Sequence, residues 1–530
     1  MIDHQALDVY IDDQVKRHNV PGFALAIVQG GEITYARGFG VTSIESPTTP
    51  VSPDTIFCCG SISKSLTAVT VARLVDQGLL DLDQSVQSYL PWLTFSRLEL
   101  AKGVTLRRLL SHSSGLFGTA GNFGPRDLRG LETCIRETIP LLDFVAPPGL
   151  VHEYSSLGID LAGHVAEVVG GKYFPQIVQG LLLDPLEMQR STYDRTVAMT
   201  YDVALPHFTD TDGQIAVQHR MFDYAAANPA GQAMASTLDL ARFVAMLITH
   251  GRYGGRQIVS EALIAEMIRP QIPLRDAEGG GYGIGFYTFR YRGHRWITHA
   301  GLLTPYLCEI SFLPDDGLGV IFQCSITNDF EPHLIRRRIL DEFLGTSATT
   351  SRVRRVSLPL DRADLSRYTG SYFSLAAGFA EIREEGDHLV LDRWDKTIEL
   401  YASQPDLFTD KDGTVAVGFV PTAGEPPEYF MLDKHAYCRF ELDAAPAAPP
   451  SVLQSYVGSY RFDDGDAATV WLDDGGLVLS LSWLEGQYPC ISLTQTKFAS
   501  DTGLVEFRPG PDGVPALVLA GGIVANFEGV

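Results

Sequence analysis

Apolar and polar positions change their period several times along this chain, and the changes outline its architecture. Residues 5–18 read as an amphipathic helix, with apolar positions at helical spacing. A hairpin follows: the apolar run Phe23–Val28, a turn at Gly30-Gly31, and a second strand over Ile33–Ala36. From Ser61 the pattern is helical again, through Leu66, Val69 and Leu74 to Gly78, a fitting C-cap. Helices and loops dominate to about residue 270. Strands return at Arg295–His299, Leu307–Leu313 and Leu318–Cys324, the last two joined by a turn at Pro314-Asp315-Asp316-Gly317. A helix over Pro332–Leu344 closes this part. Strands at both ends with helices between predict an α+β domain over 1–345: one antiparallel sheet flanked by helices, interrupted by a helical subdomain.

Beyond Gly345 the texture changes. Residues 346–362 form a small, polar and then basic linker, and two stretches of short strands and turns follow, over 363–443 and 451–530. They repeat each other. Leu365-x-x-Tyr368-x-Gly370-x-Tyr372 recurs as Leu453-x-x-Tyr456-x-Gly458-x-Tyr460, and Leu389-Val390-Leu391 recurs as Leu477-Val478-Leu479, each at an offset of 88 residues (368 to 456, 389 to 477). The Ala/Pro-rich segment 444–450 separates the copies as a stiff linker. Two small antiparallel β-barrels, lipocalin-like in form, are the expected architecture.

Composition narrows the class. The 530 residues are 45% hydrophobic and 20% charged, which is globular, and the length calls for about two to four domains. A formal net charge of −23 argues against a nucleic acid or an anionic membrane as partner. The N-terminus has neither the basic nor the apolar region of a secretory signal, and no apolar run approaches the roughly 20 residues that span a bilayer. Seven cysteines, two of them adjacent at Cys58-Cys59, suggest neither a disulfide framework nor a zinc site, and no histidine pair has metal-ligand spacing. A cytoplasmic chain without cofactor or metal is expected, acting on a small molecule or short peptide, with a homo-oligomer compatible with this picture.

The chemistry concentrates at Gly60-Ser61-Ile62-Ser63-Lys64. Serine at a helix start with lysine three residues on places both side chains on one face, where helix N–H groups favour developing negative charge. A lysine in a partly dry pocket can serve as base. Ser61-x-x-Lys64 is common by chance, and taken alone it reads as a helix N-cap followed by a solvated lysine.

Two later segments bear on that choice: Glu153-Tyr154-Ser155-Ser156, and Thr298-His299-Ala300-Gly301 at the end of a strand. Ser-x-x-Lys, then Tyr-x-(Asn-like), then Lys/His-x-Gly resembles the ordered motif set of the penicillin-recognising serine hydrolases, which include class C β-lactamases, penicillin-binding proteins, related esterases and D-aminopeptidases. Supporting matches are Asp54–Phe57, Leu109–Leu116, Pro229-Ala230-Gly231, Ser236–Phe243 and Tyr282–Phe286, so the likeness runs from about residue 5 to 345. The resemblance implies that Ser61 is acylated by the substrate. It implies that Lys64 takes the Ser61 proton or holds Tyr154 as phenolate to do so, and that Tyr154 protonates the leaving group. It further implies that His299 aligns Tyr154 or the substrate, and that the N–H groups of Ser61 and Leu302 beside Gly301 form the oxyanion hole. Ser156 departs from the family pattern. A hydroxyl there lacks the reach and second donor of the usual Asn amide, which argues against efficient β-lactam hydrolysis and leaves substrate anchoring by Ser156 open.

His112 and the glycine run 279–285 are expected to be structural, the first hydrogen-bonded in its loop and the second a loop entering the sheet. Cys58 and Cys59 are expected as buried small side chains. A catalytic domain followed by two similar barrels resembles the bacterial D-stereospecific aminopeptidases, in which a barrel loop limits access to the site. An aminopeptidase or amidase releasing an amino-terminal, D-configured residue is therefore expected. An esterase or broad acyl hydrolase is the alternative, and a non-catalytic binding or assembly protein on the same fold is a third reading. A carboxylate on the barrel loop at the cleft would favour a free substrate amine; an open apolar cleft would favour the esterase.

Overall fold

The computed structural model describes residues 2–118, 127–210, 212–219, 223–276, 279–346, 365–393, 396–421, 425–440, 448–462, 466–473, 475–482, 484–510, 514–519 and 523–529. Most of the two expected linkers lies outside these residues.

The N- and C-terminal parts of the first domain build one antiparallel sheet. Its strands are β1 (Gly22–Gln29), β2 (Glu32–Gly40), β3 (Ile272–Leu274), β4 (Gly280–Tyr282), β5 (Tyr287–Tyr291), β6 (His294–Leu303), β7 (Tyr306–Leu313) and β8 (Leu318–Cys324), in the order β2-β1-β8-β7-β6-β5-β4-β3. Strand β1 reads as a continuous apolar run because both faces are covered. Ala24, Ala26 and Val28 face the helical layer with Phe243 and Val244 of helix Thr237–Ile248. Phe23, Leu25 and Ile27 face the opposite core, closed by Leu7, Ile11 and Val15 of helix His4–Arg17 and by Ile335 and Ile339 of helix Pro332–Phe343. Small residues thus lie under one layer and large ones under the other.

The glycine run expected as a loop contributes a strand one place in from the sheet edge: Gly280–Tyr282 pairs with both Ile272–Leu274 and Tyr287–Tyr291. The strand expected over 295–299 extends to Leu303 because all of Ile297–Leu303 pairs with Tyr306–Phe312. That extension carries Gly301 and Leu302 past the start of the helix Ile62–Asp76.

Each C-terminal unit is a closed eight-stranded antiparallel barrel, with strands over Gly370–Arg439 and Gly458–Gly529. The repeated motif has one physical meaning in both. Its first tyrosine plugs an end of the barrel: Tyr368 packs on Phe408 and Phe419, and Tyr456 stacks on Phe507. Its second tyrosine donates a hydrogen bond back to the first residue's carbonyl, Tyr372 to Tyr368 at 3.0 Å and Tyr460 to Tyr456 at 2.8 Å. The first barrel is filled by Tyr372, Phe408, Phe419, Phe430 and Tyr437.

The first barrel docks on the catalytic domain through the strand pair Tyr429–Leu432 and His435–Arg439, and its Gly418 backs directly onto the Arg275 carbonyl. In Tyr429-Phe430-Met431-Leu432, Phe430 and Leu432 point into the barrel, while Tyr429 and Met431 pack outward against Ala146 and Val151. The second barrel rests on the first, where Leu504 N–H donates to Leu375 O, and reaches the catalytic domain through the Lys497–Asp143 ion pair.

Candidate active site

The helix that begins at Ile62 is buried on almost every side, so its small polar residues tie it down. Ser65 donates to Gly285 O, Thr67 to Pro229 O and Ser63 to Gly60 O, each at 2.7 Å. Ser61 makes no side-chain capping bond, and Lys64 is only 1% exposed. The reading of an N-cap with a solvated lysine is thereby removed. Instead Lys64 Nζ donates to Ser61 Oγ at 3.0 Å and to Ala230 O at 2.8 Å, and lies 4.9 Å from the centre of the Tyr154 ring.

Backbone crowding places β6 beside the serine. A side chain at Gly301 would stand 1.9 Å from Cys59 O, and one at Gly60, which has φ of +50°, would stand 2.8–2.9 Å from the Leu302 backbone. Only glycine at both positions lets the two backbones meet. The Leu302 side chain itself is exposed.

Tyr154 ends an extended segment at the start of helix Ser156–Gly170, where Ser155 accepts the Gly158 N–H as N-cap. His112 grips this segment from both sides. Its carbonyl accepts Glu153 N–H at 2.7 Å, its Nδ1 accepts Ser155 N–H at 3.1 Å, and its ring lies 4.3 Å from that of Tyr154. The Ser156 side chain is half-buried and makes no hydrogen bond among the described residues.

One helical turn beyond Ser156 is Asp160, fully buried. Its Oδ1 accepts Ala230 N–H at 3.0 Å while Oδ2 has no partner among the described residues. Burial pushes its carboxyl well above the usual range, and the Lys64 charge opposes that rise. Asp160 and Lys64 therefore hold the two backbone polar groups of one residue, the N–H and the carbonyl of Ala230.

His299 sits 6.4 Å from the Tyr154 ring, centre to centre, but its hydrogen bonds go elsewhere. Nδ1–H donates to Ala300 O at 2.7 Å, which leaves Nε2 to accept the Tyr282 hydroxyl at 3.0 Å. Burial and the nearby Lys64 hold its pKa down to about 3, so the ring is neutral. Tyr282, Tyr287, Ile272 and Leu274 form an apolar cluster against Tyr154. In the sequence Tyr282 is legible only as part of a motif; its contact with His299 is visible only in the fold.

The first barrel completes the rim. Glu153, buried beside Tyr154, accepts His435 Nδ1–H at 3.0 Å and Ala436 N–H at 2.7 Å. Asp276 accepts Lys434 N–H at 2.8 Å, and Lys434 Nζ lies 5.3 Å from the Tyr287 ring centre. Next to this contact His152 is buried with neither ring nitrogen bonded among the described residues, and its pKa is held down to about 3 by burial, then by Lys434 and His435. Glu153, His435, Lys434 and Asp276 do not stand out in the sequence. The barrel residues carry no local motif.

The seven cysteines are unpaired, and burial raises the thiols of Cys58 and Cys59. No group of side chains suited to a metal ion occurs among the described residues, and no helix there is long and apolar enough to cross a membrane.

A family model described as Beta-lactamase matches residues 7–343. The chain is 28% identical over 360 residues to Penicillin-binding protein 4 of Amycolatopsis lactamdurans, covering 65% of this chain and 91% of that protein. It is 24% identical over 349 residues to Unguisins hydrolase ungD' of Aspergillus campestris, covering 60% of each. Among solved structures, the octameric penicillin-binding protein homologue from Pyrococcus abyssi aligns with a TM-score of 0.57 at 23% identity, over 91% of this chain and 99% of that one. SurE aligns with a TM-score of 0.65 at 22% identity, over 82% and 99%, and its complex with D-Leu aligns at 0.64. These structural likenesses speak to the fold.

Proposed function

The chain belongs to the beta-lactamase family, and from that premise we propose that it hydrolyses amide bonds of short peptides through an acyl-enzyme on Ser61, accepting a D-configured residue. The observation that carries this reading is Lys64, buried and within hydrogen-bond distance of Ser61 Oγ beneath the Tyr154 ring. Ser61 Oγ attacks the carbonyl, and its proton passes to Lys64 directly or to Tyr154 held as phenolate. Tyr154 delivers a proton to the leaving nitrogen, and water then splits the ester. The Ser61 and Leu302 N–H groups receive the oxyanion; Gly60 and Gly301 bring their backbones together for it. Neutral His299 orients Tyr282 in the wall behind Tyr154. The D-Leu complex of SurE supports acceptance of a D-residue.

The narrower form, an amino-terminal exopeptidase, needs a carboxylate at the rim to hold the substrate ammonium. Asp276 is there, but one oxygen is taken by Lys434 N–H and burial raises its pKa toward the neutral form. The rim supports peptide hydrolysis better than selection of a free amine. An esterase is the second reading, favoured by the aromatic and aliphatic wall of Ile272, Leu274, Tyr282 and Tyr287. A homo-oligomer is proposed alongside, checked by light scattering.

A fluorophosphonate probe should label the protein and not Ser61→Ala. N-acetyl-D-alanyl p-nitroanilide should be hydrolysed faster than its L-counterpart. Ester cleavage without any anilide turnover would transfer the assignment to the esterase, and absence of labelling would make the chain a binding protein.

A further inference from the structure

We propose that Asp160 is a positioning residue for the base: by accepting the Ala230 N–H it fixes the carbonyl that holds Lys64 onto Ser61 Oγ. This rests on the acyl-enzyme reading above and names what keeps its base in place.

The turn that carries Ala230 is the first observation. Asn228–Gly231 is a single helical turn seated between helix Ile62–Asp76 and helix Ser156–Gly170. Each helix grips it with a pair of residues one turn apart. From the first, Lys64 Nζ donates to Ala230 O at 2.8 Å and Thr67 Oγ1 donates to Pro229 O at 2.7 Å. From the second, Asp160 Oδ1 accepts the Ala230 N–H at 3.0 Å, and Gly163 leaves room for Pro229. A β-carbon at Gly163 would stand 2.3 Å from the proline ring.

Peptide geometry gives these contacts their meaning. The Pro229 carbonyl and the Ala230 N–H belong to one planar peptide group, so Thr67 and Asp160 clamp that plane at both ends. The proline ring fixes the backbone torsion just before it. With the plane held, the next carbonyl, that of Ala230, keeps its aim at Lys64. Without Asp160 the plane can turn about Thr67 and carry the carbonyl away.

The second observation is what else holds Lys64. Its ammonium is buried and pairs with no carboxylate among the described residues; its hydrogen bonds there go to Ser61 Oγ and Ala230 O. Ser61 Oγ is committed to the substrate carbonyl once it attacks, which leaves Ala230 O as the fixed anchor. The third observation is Asp160 itself. It is fully buried, and its hydrogen bond among the described residues is the one to Ala230, with Oδ2 unpartnered. Burial drives its carboxyl toward the neutral form, whose carbonyl oxygen accepts an N–H as an amide oxygen does.

The test follows Ser61 attack in two ways, by kcat/KM for p-nitrophenyl acetate and by the rate of fluorophosphonate labelling. Asp160→Ala should lower both about 100-fold, the scale of a base misplaced by about 1 Å. Asp160→Asn, which keeps the accepting oxygen, should stay within about fivefold of the wild type. Asp160→Leu fills the space without an acceptor and should lose about as much as Asp160→Ala; it carries the test if the alanine variant does not fold. In a Lys64→Ala background, adding Asp160→Ala should lower the residual labelling less than about twofold, because Asp160 acts through Lys64. Unchanged rates in Asp160→Ala or Asp160→Leu would overturn the proposal, and so would a loss in Asp160→Asn equal to theirs. A further loss of about 100-fold in the Lys64→Ala background would mark a merely structural role and overturn it as well. If the wild type neither cleaves the ester nor takes the label, the acyl-enzyme reading fails, and a crystal structure of Asp160→Leu decides the positioning. There the Lys64 ammonium should have left Ser61 Oγ; Lys64 still bonded to both Ser61 Oγ and Ala230 O would overturn it.

Discussion

The two barrels share a strand count, a tyrosine plug and a hydrogen-bonded tyrosine pair, yet they meet the catalytic domain in different ways. The first inserts a strained hairpin beside Tyr154 and buries the outer face of a strand pair against residues 146 and 151. The second leans on the first and touches the catalytic domain through the half-exposed Lys497–Asp143 pair. Duplication supplied one fold twice, and the difference lies in what decorates it. A strand buried on both faces and a charged turn make one copy part of the cleft; the other buttresses it.

The largest expected effect comes from breaking the first barrel's clasp. Glu153→Ala should destabilise the protein by about 3 kcal/mol, because it removes a buried carboxylate and leaves the Ala436 N–H unpaired. Lys497→Ala, which cuts the second barrel's tie, should cost at most about 1 kcal/mol. Denaturant melts of both variants check the contrast; equal losses would remove the asymmetry between the barrels.

Acid should loosen the same side of the molecule. His152 and His299 have folded-state pKa values of about 3, and burial also drives that of His112 well down. The unfolded chain takes up these protons near pH 6.5, so it binds more protons than the fold between about pH 3 and 6.5, and stability falls as pH drops through that window. At pH 5, His152 and His299 each cost about 2 kcal/mol. Buried Glu153 and Asp160, whose carboxyls burial raises, act in the opposite sense and reduce the net loss. Residues 451–530 contain no histidine. Hydrogen exchange at pH 5 against pH 7 should therefore show loosening around residues 112, 152 and 299, with the second barrel unaffected.

Relaxing the first barrel's turn sharpens the comparison further. Asp433→Gly with Lys434→Gly should raise stability by about 1 kcal/mol through relief of two left-handed residues, read by a denaturant melt. The smallest effects probe what the barrels share. Tyr460→Phe should cost about 1 kcal/mol, and Tyr372→Phe somewhat more, because the Tyr372 hydroxyl also accepts from Arg439. Thermal melts resolve the pair.

What the sequence by itself determined is whatever local pattern encodes. The helix periods, the run at β1, the repeat at an 88-residue offset and the motif order Ser61-x-x-Lys64, Tyr154, His299-x-Gly301 all lie in short stretches, and they were enough for the fold class. Strands β3–β5, at one end of the sheet, were less legible, because their glycine and aromatic content mimics a loop until neighbouring strands supply hydrogen bonds. Tertiary structure alone decided that Lys64 is dry, that His299 bonds Tyr282 and not Tyr154, and that Asp160 stands behind Ala230. It also brought Lys434 and His435 to a cleft built some 280 residues earlier in the chain. Burial and charge pairing depend on distances between segments, and no local spacing records them. The Ser61 pair could therefore be found from the sequence, while the cation at the rim required the fold.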